Sequence, residues 1–193
     1  MFDVSFFILT LPILLVVITV HEFSHALVAD RLGDPTPRLA GRLTLNPVAH
    51  IDPIGFLMLI VVRFGWAKPV PINPYNFRNP RSGALLVSLA GPVANFLFAW
   101  IVAIILRTVP IGSDLLAQIM SYTIFINLAL GVFNLIPIPP LDGSHVLEFF
   151  LPPHRYEIMQ QLEQYGFIIL ILIIFAGQPL LFAVIDFLYR LLV

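Results

Sequence analysis

Long apolar runs alternate along the chain with short stretches rich in Pro, Gly, Asn and charge. A helix needs about 20 apolar residues to cross a bilayer core. Four runs are long enough, at roughly 4–30, 83–106, 115–136 and 166–192. The pattern therefore predicts an all-α polytopic membrane protein, a bundle of about four transmembrane helices forming a single domain over residues 1–193, with five or six as the alternative count. The count depends on two places. Gly177-Gln178-Pro179 interrupts the last run, which reads as one kinked span in preference to a short hairpin of two half-length pieces. Ile54 to Val62 is apolar but too short to cross, and suits a re-entrant or interfacial piece.

The stretch between the first two spans, about 39–64, is the least regular. Arg42-Leu43-Thr44-Leu45-Asn46-Pro47 alternates polar and apolar residues, a strand signal closed by proline, so a short membrane-associated β-hairpin or re-entrant segment is expected around 39–62. Lys68 to Asn76 carries three prolines and reads as a rigid loop. The first span should stop near Gly33, where Asp30-Arg31-Leu32-Gly33-Asp34-Pro35 supplies charge, a C-cap glycine and a proline. Leu115 to Ile136 runs into Asn134-Leu135-Ile136-Pro137-Ile138-Pro139-Pro140-Leu141-Asp142-Gly143, where three prolines break the helix and leave backbone groups in need of partners.

Composition agrees: 59% of residues are hydrophobic and 11% charged, and the mean hydropathy is +0.97. A net charge of −1 offers no basic surface for nucleic acid. There are no cysteines, so any bound metal must use His, Asp or Glu. Met1-Phe2-Asp3 lacks the positive start of a cleaved signal peptide, and the first span is expected to be retained. Residues 31–81 hold seven of the ten Lys and Arg, namely Arg31, Arg38, Arg42, Arg63, Lys68, Arg78 and Arg81. Positive loops stay inside, so this segment is expected on the cytoplasmic face of the cell membrane.

Against this apolar background stands His21-Glu22-Phe23-Ser24-His25. Residues four apart on a helix lie about 6 Å apart along the axis on one face, so His21 and His25 can share one ion. This is the H-E-x-x-H pattern, in which two histidines hold zinc and the glutamate acts as general base. Ionisable residues at membrane depth are costly and are functional by default. Catalytic zinc takes three protein ligands and keeps an open position. The best third ligand is Asp142, because the topology returns it to the cytoplasmic side on which the first span presents its histidines. Asp3 and Asp114 map to the opposite face, Asp30 and Asp34 follow too closely, and Asp186 lies in the last span. His145 and Glu148 are candidates for supporting or ligating roles, with an ordinary helical position as the simpler reading of His145. His50 and His154 read as loop or interfacial residues. Asn134 is either a packing residue or an amide donor to an oxyanion. Ala90-Gly91-Pro92-Val93-Ala94-Asn95 is small enough to let another helix approach closely.

Together, His21 to His25, Ala90 to Asn95 and Asn134 to Gly143, in this order and each in or at the end of a span, resemble the site-2 protease family of intramembrane zinc metalloproteases. Gly41 to Pro47 is also similar to that family's membrane-embedded β-hairpin region. The resemblance implies one Zn2+ per chain bound by His21, His25 and Asp142, water activation by Glu22, and assistance to the oxyanion or the substrate backbone by Asn134. It further implies that the partners are transmembrane protein substrates in the lipid bilayer, cleaved in regulated intramembrane proteolysis, with the active site toward the cytoplasm. The loops leave no room for the PDZ or nucleotide-sensing domain of larger members, so a minimal catalytic core is expected. The alternatives are a non-catalytic zinc-dependent binder of membrane segments and a metal transporter. A transporter would repeat acidic or histidine residues along several spans, whereas here the polar residues gather at one depth.

Overall fold

A computed structural model describes residues 4–62 and 65–193. Asp3 and Arg63, both used in the charge pattern above, lie outside the described residues. Among the described residues eight α-helices follow one another: α1 (Val4–Arg31), α2 (Thr36–Leu39), α3 (Pro53–Val62), α4 (Pro80–Thr108), α5 (Asp114–Asn134), α6 (Gly143–Phe150), α7 (Tyr156–Ala176) and α8 (Gln178–Leu192). Four stretches among the described residues are long and apolar enough to cross a membrane: Leu9–Arg31, Pro80–Thr108, Asp114–Asn134 and Glu157–Ala176. The last run is thus two helices joined at Gly177, which ends α7 and begins α8. The chain forms two compact units, Met1–Gly91 and Pro92–Val193.

In the first unit α1 ends where its sequence requires. Gly33 adopts a φ of 103°, the N–H of Asp34 donates to the carbonyl of Ala29 at 2.9 Å and that of Gly33 to Asp30 at 3.2 Å. This is the left-handed glycine cap that closes a helix with two backbone bonds. The device repeats after α2, where Gly41 (φ 68°) lets Arg42 N–H reach the carbonyl of Pro37 at 2.8 Å. The buried side chain of Asp34 then gathers the surrounding loop. It accepts from the Thr36 hydroxyl and N–H at 2.5 and 3.1 Å, from Asn76 Nδ2 at 2.7 Å and from the Asn73 N–H at 2.7 Å.

The strand expected at Arg42 to Pro47 does not form. Among the described residues the extended pairing is a single antiparallel bridge, Ile51 to Ala67, with Lys68 N–H donating to the His50 carbonyl at 2.9 Å. Local side-chain bonds win over a ladder here. Thr44 Oγ1 accepts from Asn46 N–H, Asn46 Oδ1 accepts from Val48 N–H, and Pro47–His50 winds into a single tight turn. His50, expected as a loop or interfacial residue, lies in this turn and is buried, with Nε2 donating to the Thr44 carbonyl at 2.8 Å. The 54–62 segment is the ten-residue helix α3, started by Asp52, whose carboxylate accepts from Ile54 and Gly55 N–H.

The second unit is built on α4, α5 and α8. Ala99, Val102 and Ala103 of α4, Ile124 and Leu128 of α5, and Ile185 of α8 form its apolar core. Inside it Asn95 Nδ2 donates to Asn127 Oδ1 at 3.0 Å, and Asn127 Nδ2 to the Thr123 carbonyl at 2.9 Å. Both asparagines are fully buried. Pairing the amides with each other and with the helix spares their desolvation cost.

Asp34 supplies a test of the first unit. Burial alone would raise its pKa, but the bonds from Thr36, Asn73 and Asn76 outweigh this and hold the carboxyl below its ordinary value. A carboxylate whose pKa is depressed by folding stabilises the fold above its unfolded pKa, about 3.9, and loses that contribution as pH falls through the folded value. Asp34→Ala is expected to lower stability by about 1–3 kcal/mol at pH 7, the cost of orphaning buried donors. The difference from the parent should shrink below about pH 4, as read by thermal unfolding in detergent at both pH values.

Candidate metal centre

The chemistry of the first unit centres on the last turns of α1. His21 and His25 are buried, at 5% and 6% exposure, and their rings meet edge to face with centroids 4.6 Å apart. The helical spacing of four brings their Nε2 atoms within 3.0 Å. A third group settles which nitrogen of His25 carries the proton. Its Nδ1 lies 2.7 Å from the Val87 carbonyl of α4, and a carbonyl only accepts, so Nδ1 is the donor. Nε2 of the neutral ring therefore turns its lone pair toward His21. Fixing a ligand's orientation and tautomer by a bond to its far nitrogen is characteristic of metal-binding histidines.

Gly91, one helical turn after Val87, completes the cradle. A Cβ built there would collide with Nε2 of His25 and would come within 2.6 Å of both Cε1 and Nε2 of His21. Only glycine lets α4 pass so close to the two ring edges. The donor chemistry, the single facing lone pair and the glycine opening all fit a small cation.

Glu22 is half-buried beside this pair. Its charge acts on Arg42: burial pushes the guanidinium pKa down, and the Glu22 carboxylate opposes that shift. Arg42 itself is 4% exposed. Its guanidinium donates to the carbonyls of Ala49 and Lys68, and to that of Pro69 at 3.0 Å.

The second unit holds the other expected residues. Asn134 ends α5, and its Nδ2 donates back to the Leu130 carbonyl at 3.1 Å, which leaves the second N–H of the amide for another acceptor. From there the chain proceeds through tight turns. Ile138 N–H bonds to Ile136, Leu141 to Ile138 and Ser144 to Leu141, with a cis peptide between Pro139 and Pro140. Gly143 is packed against the carbonyl oxygens of Leu135 and Ile136, with no room for a Cβ. Asp142 stands at the head of α6 and makes no side-chain cap bond to it. His145 and Glu148 bond to each other at 3.2 Å on an exposed face of α6.

Comparison with known proteins agrees with this chemistry. The model of peptidase family M50 matches residues 110–177. The chain is 44% identical over 168 residues to "Putative zinc metalloprotease YwhC" of Bacillus subtilis, covering 83% of this chain and 77% of that protein. It is 31% identical over 176 residues to "Putative zinc metalloprotease Rip2" of Mycobacterium tuberculosis, covering 88% and 68%. The chain belongs to peptidase family M50, the site-2 protease family. A further relative, "Zinc metalloprotease MJ0392" of Methanocaldococcus jannaschii, is 27% identical over 72% of this chain and 33% of its own. No solved structure matches. The protein is thus a membrane metallopeptidase, its relatives are named for zinc, and His21, His25 and Asp142 are donors of the type zinc takes.

Three contributors escaped the sequence. The Val87 carbonyl has no side-chain signal at all. Gly91 was visible as a small residue, though not as the wall of this cradle. Arg42 was counted only as a loop charge. Gly91→Ala should lower zinc affinity at least about tenfold, the range found when groups supporting metal ligands are disturbed. Metal content after dialysis against a graded chelator measures it.

Proposed function

We propose that the protein is an intramembrane zinc metalloendopeptidase that hydrolyses peptide bonds within or near transmembrane segments of other membrane proteins, as in regulated intramembrane proteolysis. The observation that carries this reading is the pair of imidazoles in α1, with the tautomer of His25 fixed by Val87 and a carboxylate, Glu22, next in sequence. His21, His25 and Asp142 make up the donor set of one Zn2+. The positive segment that follows α1 supports a cytoplasmic position for the site.

Zinc in this set would supply a Lewis acid for the scissile carbonyl and would acidify water. The chain's own residues handle the protons and the charge. Glu22 takes a proton from the attacking water and delivers it to the amide nitrogen as the C–N bond breaks, acting as base and then as acid. The free N–H of Asn134 donates to the oxyanion as it develops. A substrate helix must unwind first, because its own hydrogen bonds shield each peptide group.

Glu22→Gln should keep zinc and lose about 10²- to 10⁴-fold in cleavage of a model transmembrane substrate, the usual contribution of a general base. Wild-type activity in that variant would remove Glu22 as the base, whereas a wild-type protein that cleaves nothing would favour a non-catalytic binder or a transporter. His25→Ala and Asp142→Ala should each lose the metal. Zinc retained in Asp142→Ala at wild-type affinity would remove Asp142 from the ligand set. Asn134→Ala should retain zinc and lower kcat by about 10²- to 10³-fold, measured by steady-state cleavage.

A further inference from the structure

Arg42 is a strongly buried cation outside the helices of the first unit, and proton and metal chemistry as described above make no use of it. Its backbone is placed by the left-handed turn at Gly41, whose cap bond runs from Arg42 N–H to Pro37. Its guanidinium reaches three carbonyls that belong to two separate stretches of chain. Ala49 lies in the turn Pro47–His50, whereas Lys68 and Pro69 follow the bridge residue Ala67. Among the described residues those stretches are also tied by the Ile51 to Ala67 bridge and by the bond from Lys68 N–H to the His50 carbonyl. The guanidinium is the joint between them, and its charge is offset by Glu22 of α1.

A planar fork with five donors can satisfy several carbonyls at once while keeping its charge, which an ammonium cannot reproduce. Burying it is costly unless hydrogen bonds and an opposite charge compensate. Both compensations are present, and the 47–50 turn that Arg42 holds packs against α1.

We propose that Arg42 is a positioning residue for hydrolysis: by clamping the 47–50 turn and the 67–69 segment together beside α1, it fixes the surroundings in which the Glu22 carboxylate works. This rests on the reading of Glu22 as the base. The bonds of Arg42 go to loop carbonyls, so its removal should alter turnover and leave metal and substrate binding intact.

The test uses the full chain in bilayers, as wild type, Arg42→Gln and Arg42→Lys. Zinc content, kcat and KM on one transmembrane substrate, and amide hydrogen exchange over 44–50 and 65–70 would be measured. Arg42→Gln should keep one zinc per chain and show KM within about twofold and kcat lower by about 10- to 100-fold, the scale of a misplaced catalytic group. Exchange should rise in both segments together. Arg42→Lys, which keeps the charge and removes the fork, should recover less than half of the lost kcat and show the same paired rise in exchange. The proposal is overturned by an unchanged kcat, by a rise in KM alone, by kcat loss that merely follows loss of zinc or folded protein in both variants, or by unaltered exchange. Full recovery in Arg42→Lys would overturn the clamp as well. A wild-type protein that cleaves no substrate would defeat the protease reading itself. Wild-type cleavage with an unaffected Arg42→Gln defeats only the role of Arg42.

Discussion

The hydrogen bond between His25 and the Val87 carbonyl is the constraint on which the metal chemistry depends. An imidazole has two nitrogens, and without a partner it can turn either to the metal in either tautomer. One carbonyl 2.7 Å from Nδ1 removes that freedom, because it accepts and cannot donate. The lone pair of Nε2 is then fixed 3.0 Å from its counterpart on His21. Gly91, one turn further along α4, is what lets the second helix come near enough to provide that carbonyl. A side chain at 91 and a bond at 87 are incompatible demands, and the chain resolves them with glycine.

Polar groups in an apolar medium must find partners within the protein, and this chain solves the problem in different ways in its two units. Asn95 and Asn127 satisfy each other inside an otherwise apolar helical core. Asp34 collects four donors from the loop around it, and Arg42 distributes its donors over three carbonyls. The two charged residues thus build the irregular stretch between α1 and α4 from side-chain bonds instead of a ladder. That choice explains why alternating residues at 42–47 did not become a strand. Thr44 and Asn46 bond to the backbone two residues on, and Pro47 has no N–H to give.

Membership of peptidase family M50 rests on relatives that align over most of the chain, and the physical features sit where the family motifs do. The H-E-x-x-H residues occupy the last turns of α1, and the proline-rich motif leaves α5 through a chain of tight turns to Asp142. Gly143, packed on the carbonyls of Leu135 and Ile136, holds those turns closed. The proposed duties of Glu22, Asn134, Asp142 and Arg42 add chemistry to that frame.

The sequence by itself determined the helices long enough to cross a membrane, the glycine stop of α1 at Gly33, and the sharing of one helix face by His21 and His25. Each follows from spacing or from a residue's own backbone preference, and such local rules are legible without a partner. It also marked Asp142, Asn134 and Glu22 as the residues to examine, through motif chemistry. What the tertiary structure decided was everything that depends on a second stretch of chain: the Val87 carbonyl that selects the His25 tautomer, the requirement for glycine at 91, the burial of His50 and the clasp of Arg42 on three carbonyls. A backbone carbonyl has the same sequence signature at every position, and an arginine in a loop reads as solvated charge until packing surrounds it. Long-range contacts are chosen by which surfaces come together, and no periodicity within one segment records that choice.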